Sequence, residues 1–376
     1  MDNNTYAMRP GQGRLTSLDA LRGFDMFFIM GGAGLLAALA KWFPCSFTEE
    51  LAHQMGHVEW HGLTHHDTIF PLFLFIAGIS FPFSLSKQRA AGRSEGSIHW
   101  KVVSRGLILV LLGMIYNGLL GLNFEDFRYA SVLGKIVIAW MVAALWYVHF
   151  GVKSRLSICV LTLVGYWALL QMTAPDAPAG CGPFTPEGCF PGYLDRLGFT
   201  PGKLYVAGLL EPSGLPVSFF GSATAMMGMF AGDLLRSGRT SLTASRKALC
   251  LASIGLVAGL AGWGVSFSCP IVKKLWTPSF MLVVGGYSFV ILALFYWIID
   301  VLHHDRWSFF LQVVGVNSIA IYMLKRIVGY KQISQFLFGG VASWFPDPGF
   351  VESLGIVVLC WLTCWFLNRH RIYLKV

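Results

Sequence analysis

The chain has 376 residues, of which 55% are hydrophobic and only 12% are charged. Soluble domains carry roughly 25% charged residues, so this chain has too few charges to cover a folded surface around so much apolar material. The composition excludes a soluble enzyme, a disordered chain and a small disulfide-stapled protein, and it predicts an integral membrane protein in contact with membrane lipids.

Long apolar runs recur along the whole chain. A transmembrane helix needs about 20 mainly apolar residues, and ten runs qualify: 18–40, 68–86, 102–120, 131–150, 156–173, 217–235, 248–268, 277–300, 308–328 and 351–368. We expect residues 1–376 to form a single all-α domain, a polytopic bundle of about ten transmembrane helices. Residues 1–17 are polar and no small-residue cleavage site follows a short apolar stretch, so the first run is interpreted as an uncleaved span.

The basic residues are distributed unevenly between these runs. The formal net charge is +9, from 28 Lys and Arg against 19 Asp and Glu. The basic residues lie in short loops, so membrane topology explains them better than nucleic-acid binding does. With the N-terminus inside, roughly two thirds of them fall in inner loops or at inner span ends. This asymmetry predicts that both termini are cytoplasmic, which agrees with an even number of spans.

Two outer connections are long, namely 41–67 and 174–216. The second is rich in Pro and Gly and contains the sequence CGPFTPEGC, in which Cys181 and Cys189 would close a small loop on the oxidising side of the membrane. Free thiols are the alternative, but we expect the disulfide. The cysteines do not show the spacing of a zinc site.

Histidines concentrate in the first outer connection. Four of them recur at every fourth residue: His53, His57, His61 and His65. On a helix this spacing would align them on one face and suit a metal ion, but Gly56 and Gly62 interrupt such a helix and acidic co-ligands are sparse. The alternatives are an outer loop with incidental histidines and an active site at the membrane interface with one working histidine. The last interpretation is favoured, and no metal is expected.

Two neighbours of the histidines favour an active site. Asp67 opens the second span, where a carboxylate satisfies free backbone N–H groups and the helix dipole. Its alternative use is to hold an imidazole in one tautomer and stabilise the imidazolium. Trp60 is expected at the membrane interface, either as an anchoring aromatic residue or as a wall on which a sugar stacks.

Polar residues inside or beside the spans are further candidates, because intramembrane polar groups are costly and are functional hypotheses by default. They include Arg105, Arg128, Lys135, Asn317 and Ser318. Asn317 and Ser318 lie in the middle of the ninth span, where they would either bond to another helix or line a cavity.

Several stretches resemble one known family. The first two carry most of the specificity, and the stretches follow in order: RLTSLDALRG, HVEWHGLTHHDTIFPLFLFIAG, LNFEDFRYASVLGKI, EPSGLPVSFFGSATAMMGMFAG, KKLWTPSF and GVNSIAIYM. Together they resemble the heparan-α-glucosaminide N-acetyltransferase family, including its bacterial members, over most of the chain. The resemblance implies a multi-pass enzyme of the cell's inner membrane. It would transfer acetyl from cytoplasmic acetyl-CoA to an amino sugar of the glucosamine type on the outer side.

The resemblance also implies catalytic and acceptor-binding residues. The family's catalytic histidine, in an H-x-x-W segment, falls on His57, and its aspartate before the F-P motif falls on Asp67. Trp60 and Arg128 would bind the acceptor. A neutral imidazole suits removal of a proton from an attacking amine; the alternative is that His57 attacks first and carries the acetyl group.

The donor site is expected from the same resemblance. Arg105, Lys135, Asn317 and Ser318 would bind acetyl-CoA. The phosphates of CoA need Arg or Lys at the cytoplasmic mouth, where Arg105 is the best candidate because Lys135 is predicted nearer the outer side. Asn317 would be able to polarise the thioester carbonyl.

The sequence also departs from the family pattern. The first span reads FFIMGGAGLL and lacks the asparagine that many members carry there, and the resemblance is not expected to include the large luminal N-terminal domain of the lysosomal enzyme. The competing functions are an O-acetyltransferase acting on envelope polysaccharide and a sugar or peptide transporter without chemistry. A homodimer is a further expectation.

Overall fold

Helices form all the regular secondary structure in the part of the chain that the computed structural model describes, namely residues 15–124, 127–200, 203–236, 242–345 and 347–374. In chain order they are α1 (Thr16–Trp42), α2 (Ser46–Gln54), α3 (His65–Ala90), α4 (Glu95–Tyr116), α5 (Val132–His149), α6 (Val152–Leu170), α7 (Phe190–Gly198), α8 (Leu215–Arg236), α9 (Ala244–Ser266), α10 (Pro278–Val301), α11 (Arg306–Val316), α12 (Ser318–Ile327), α13 (Tyr330–Ala342) and α14 (Pro348–Arg369).

The predicted bundle is confirmed by these helices. Among the described residues, nine helices are long and apolar enough to cross a membrane, and the pair α11 and α12 brings the number to ten if it forms one span. That pair is the ninth predicted span, and it differs from a straight helix because it bends by 61° at Asn317. The cytoplasmic placement of the termini stays a prediction.

Helix α3 holds the central position, in contact with α1, α5, α8 and α10. It begins at His65 because Thr64 and Asp67 form a capping box, in which each side chain bonds the backbone of the other residue. Such a box satisfies N–H groups that the first helical turn leaves without partners. Asp67 is therefore fixed at the N-terminal end of α3, and the helix then runs through the middle of the bundle. We call this end of the bundle the outer end, and the opposite one the inner end, after the sides that the sequence predicts.

Glycines allow α3 and α8 to touch along their backbones. A Cβ atom at Gly78 would overlap the Ala225 carbonyl, and one at Gly228 would overlap the Phe75 carbonyl. Small residues at such crossings are the usual device for close packing of helices in membranes. The contact makes α3 and α8 a rigid pair behind the cavities described below.

Besides the bend between α11 and α12, the first helix, α1, also departs from a regular α-helix within its apolar run. In α1 a wide turn at Phe28–Gly32 contains Gly31 with φ of +148°, a conformation that favours glycine. The Lys325 ammonium of α12 donates a hydrogen bond to the Ile29 carbonyl of this turn. A side chain thus satisfies backbone in the break, as a membrane interior requires, and it ties α12 to α1.

The outer connections fold over the outer end of the bundle and contact each other. The Trp60 indole N–H donates to the Phe184 carbonyl at 2.6 Å. The Gly62 N–H donates to the Ile271 carbonyl, in the loop between α9 and α10, at 3.0 Å. The segments 41–67 and 174–216 therefore build one outer face together with that loop.

The predicted disulfide between Cys181 and Cys189 is wrong: both cysteines are free. Cys189 is buried at the start of α7, its thiol donates to the Pro186 carbonyl at 3.5 Å, and its backbone pairs with Thr173. Cys181 lies half-buried in the turn at the other end of the segment. One thiol is thus packed in the core and the other lies in a turn, and the two do not close the segment into a disulfide loop.

Candidate active site

His57 and Asp67 form a hydrogen-bonded pair at the outer end of α3. His57 Nδ1 lies 2.7 Å from Asp67 Oδ1. The other carboxylate oxygen accepts from the Thr64 backbone N–H at 3.2 Å and from its hydroxyl at 3.0 Å. About half of the His57 side chain is exposed (52%), whereas Asp67 is fully buried. Donation from Nδ1–H to the carboxylate leaves Nε2 with a free lone pair, the arrangement of an oriented general base.

A lysine that the sequence analysis did not single out completes this pair. The Lys273 ammonium lies 2.9 Å from Asp67 Oδ1 and 3.1 Å from His57 Nδ1. It comes from the loop between α9 and α10, within the KKLWTPSF stretch. Burial lowers the pKa of Lys273, although the Asp67 carboxylate opposes this shift. His57, Asp67 and Lys273 thus form a cluster in which the Asp67 carboxylate contacts both the imidazole of His57 and the ammonium of Lys273.

The other histidines of the first outer connection do not join this cluster as metal ligands. Helix α2 ends at Gln54 and α3 begins at His65, so the four-residue spacing does not place them on one helix face. His66 packs against His57, with ring centroids 4.6 Å apart. His65 turns into the bundle, where its Nε2 lies 3.2 Å from the Tyr287 hydroxyl. No group of three or more potential metal ligands occurs among the residues that the structure describes.

An outer cavity of about 410 Å³ lies against the cluster. Its walls include Trp60, Arg128 and Lys135 beside His57. Arg128 makes two hydrogen bonds to the buried Glu211 carboxylate, one of them at 2.7 Å. It also stacks on Tyr205 at 4.4 Å from the ring centroid. This wall combines aromatic rings with an oriented guanidinium, as small-molecule pockets commonly do.

Lys135 belongs to the outer cavity. Its ammonium donates to the Pro212 carbonyl at 2.8 Å and lies 3.6 Å from the Trp276 ring centroid. The resemblance to the acetyltransferase family predicts Lys135 in the donor site together with Arg105. The structure separates these two residues, with Lys135 in the outer cavity and Arg105 in an inner one.

An inner cavity of about 300 Å³ opens on the other side of the bundle. Arg22 and Arg105 lie in its lining together with hydroxyl groups of α3, and Arg22 donates to Ser80 Oγ at 3.3 Å. The Arg105 guanidinium lies 5.2 Å from the Trp140 ring centroid. Two arginines in one cavity supply a place for an anionic group.

Asn317 and Ser318 also line the inner cavity, at the break between α11 and α12. The Asn317 amide N–H donates to the Cys364 carbonyl at 3.4 Å, while its Oδ1 is buried and has no hydrogen-bond partner within the described residues. A buried oxygen without a partner is costly in a membrane interior. The sequence offered two roles for Asn317, a bond to another helix and a place in a cavity wall, and the structure shows both.

The two cavities meet in the interior of the bundle. Phe70, Val132 and Ile136 line both of them. The cavity with the two arginines and the cavity with the His57 cluster are therefore neighbours, and these three apolar side chains lie at their boundary.

Comparisons with known proteins agree with the sequence motifs. Residues 14–118 match a family described as a domain of unknown function (DUF5009). The chain is 26% identical to heparan-alpha-glucosaminide N-acetyltransferase of Homo sapiens, over 96% of this chain and 60% of that protein. It is also 26% identical to the Mus musculus protein of the same name, over 100% of this chain and 62% of the relative. The chain spans about 60% of the length of these relatives, and the resemblance noted from its motifs is confirmed.

Proposed function

We propose that this protein is a transmembrane acetyltransferase of the cell's inner membrane. It would take acetyl from acetyl-CoA on the cytoplasmic side and pass it to an amino sugar of the glucosamine type on the outer side. The observation that carries the proposal is the pair of cavities that meet at Phe70, Val132 and Ile136, with arginines in one and an oriented histidine in the other. The names of the relatives supply the reaction and the acceptor class.

The chemical step takes place where the cavities meet. The amine nitrogen of the acceptor attacks the thioester carbonyl carbon, a C–N bond forms and the C–S bond breaks. His57 Nε2 takes the proton from the amine, and the imidazolium then gives this proton to the departing CoA thiolate, so that CoA leaves as the thiol and His57 is neutral again. Asp67 holds the imidazole in the required tautomer and offsets the charge of the imidazolium. A ternary complex with His57 as base needs no acetyl-histidine intermediate, so we prefer it.

Lys135 supports this step from the outer cavity. It lies on α5 between Val132 and Ile136. An ammonium has three N–H donors, and the bond to the Pro212 carbonyl uses one of them. We assign it to the thioester carbonyl oxygen, where negative charge develops during attack. Its predicted contact with acetyl-CoA is thereby kept, but at the acetyl end of the donor rather than at the phosphates.

The rest of the donor would occupy the inner cavity. Arg105 and Arg22 bind the phosphates at its cytoplasmic mouth. The unpartnered Oδ1 of Asn317 accepts an N–H from the amide-bearing arm of CoA, which suits this oxygen better than polarising the thioester carbonyl. Ser318 lines the same stretch of the cavity and contacts the same arm.

The acceptor would rest on the outer wall. Trp60 offers a ring face held in place by its bond to Phe184. Arg128 is oriented by Glu211 and keeps one side toward the cavity, where it binds sugar hydroxyls.

Transfer by the purified protein tests this function. Labelled acetyl-CoA is incubated with the protein and a panel of amino sugars and their hydroxyl counterparts. We expect label in the N-acetyl sugar only. Label in hydroxyl sugars alone would instead identify an O-acetyltransferase, and sugar flux without consumption of acetyl-CoA would identify a transporter.

Replacement of Arg105 is expected to weaken donor binding. Loss of a charged hydrogen bond costs about 1.5–3 kcal/mol, so Arg105→Ala should raise the KM for acetyl-CoA about ten- to hundredfold and leave the acceptor KM nearly unchanged. Lys101→Ala, one turn earlier on α4 and exposed, is the control and should change neither constant. Reduced expression with both constants unchanged would mean that Arg105 only anchors the span at the interface.

The pH dependence of transfer is expected to report on Lys273. Since burial lowers the pKa of Lys273, its ammonium is lost as pH rises through a value below the ordinary lysine range near 10.4. The Asp67 charge beside His57 is then unbalanced, and activity should fall. Arg stays protonated, so Lys273→Arg should move this alkaline limb to higher pH. Lys274→Arg is the control, because Lys274 lies over the Trp60 ring instead; an equal alkaline limb in wild type and Lys273→Arg would contradict the assignment.

A further inference from the structure

The residues shared by the two cavities occupy matching positions on two helices. On α3, Asp67, Phe70 and Phe73 are spaced by three residues and so lie near one another on one face. Phe70 lines both cavities, whereas Phe73 lines only the inner one. The Lys273 ammonium lies 5.9 Å from the Phe70 ring centroid. The Phe70 ring therefore lies beside the His57, Asp67 and Lys273 cluster and also borders the inner cavity.

Helix α5 supplies the opposite wall in the same order. Val132 and Ile136 are four residues apart on one face and line both cavities. Trp140, one turn further, lines only the inner cavity and lies beneath Arg105. All three shared side chains are bulky, apolar and half-buried, so the passage between the cavities has no polar group in its shared lining.

We propose that Phe70, Val132 and Ile136 form an acyl-size filter that restricts the donor to acetyl-CoA. This inference rests on the proposed function. The thioester has to reach the outer cavity through the passage, so its acyl group must fit against these three side chains at the moment of attack. A methyl group fits where longer chains meet the Phe70 ring.

The filter has a second consequence for water. An apolar passage keeps outer water away from the thioester until an acceptor occupies the outer cavity, and exclusion of water prevents loss of a reactive group by hydrolysis. Opening the passage would admit both a longer acyl chain and a water molecule. Acyl selectivity and protection from hydrolysis are therefore two properties of the same side chains.

Acyl selectivity measures the filter directly. The ratio of kcat/KM for propionyl-CoA to that for acetyl-CoA is determined at saturating acceptor. One methylene in a fitted apolar pocket changes such a ratio about ten- to two-hundredfold, so wild type should favour acetyl by that factor. Phe70→Ala should raise the ratio at least tenfold. Phe73→Ala is the matched control: the same residue type lies one turn away on α3, outside the passage, and its ratio should equal that of wild type.

Ile136→Ala and Phe70→Leu supply milder variants in case Phe70→Ala does not fold, and each should raise the ratio by a smaller factor. An unchanged ratio in variants of Phe70 and Ile136 that still transfer acetyl would overturn the filter and leave the proposed function standing. An equal rise in Phe73→Ala would also overturn it, because general loosening would then explain the change. Wild-type protein that transfers acetyl to no acceptor would refute the proposed function, and the filter with it.

Discussion

Replacing His57 with alanine is expected to lower acetyl transfer by about 10²–10⁴-fold, the usual contribution of a positioned general base. The variant should fold and bind acetyl-CoA normally, because the side chain is half exposed and the inner cavity lies on the other side of Phe70. Turnover at saturating donor and acceptor, together with the donor dissociation constant, separates the two effects.

Two other histidines of the same connection are matched controls for His57. His53 is exposed and pairs weakly with Glu50 at 3.7 Å, and His61 is exposed as well. Their alanine variants should keep turnover within a few-fold of wild type. Near-normal turnover in His57→Ala would show that His57 is not the catalytic base. Loss of wild-type activity on treatment with a chelator would indicate that the histidines bind a metal ion.

Replacing Asp67 with asparagine is expected to have an effect of similar size. The amide keeps the shape of the carboxylate but no longer demands a proton from His57 Nδ1, so the imidazole loses its fixed tautomer; in a comparable triad this change costs about 10⁴-fold in turnover. The variant also leaves the Lys273 ammonium without its counter-charge. Removing one partner of a buried ion pair costs about 3–5 kcal/mol, so the melting temperature in detergent should fall too.

A double variant distinguishes the catalytic from the structural effect of Asp67. Asp67→Asn combined with Lys273→Met removes both charges, so it should recover thermal stability without recovering turnover. Thr64→Ala is the control, because it removes the hydroxyl bonds to Asp67 and to the Gly56 carbonyl but keeps both charges, so it should cost about 1 kcal/mol of stability with little loss of turnover. Recovery of turnover in the double variant would show that Asp67 acts only on the fold.

The membrane spans are predictable from sequence because each needs only its own apolar length. The exception is the bend at Asn317, where a single polar residue within an apolar run marks either a helix contact or a break. The orientation of α12 is set by partners far along the chain, such as the Ile29 carbonyl that binds Lys325. A local pattern carries no information about such partners.

The contacts of the candidate site are predictable from sequence within one motif and not where they join distant segments. His57 and Asp67 lie ten residues apart, within the motif that also resembles the acetyltransferase family. Lys273 contacts Asp67 from 206 positions away in the chain. Lys273 and Lys274 are adjacent, and no feature of the sequence shows which of the two contacts Asp67. The error at Cys181 and Cys189 has the same origin, because spacing alone does not reveal that one thiol is buried.

Sidedness of transfer is the most direct test of whether this protein carries acetyl from one face of the membrane to the other. Labelled acetyl-CoA is sealed inside membrane vesicles whose cytoplasmic face points inward, and an impermeant amino sugar is added outside. We expect N-acetylated sugar outside, CoA thiol inside, and loss of both in vesicles bearing His57→Ala. Product formed only when donor and acceptor share one side of the membrane would contradict the account.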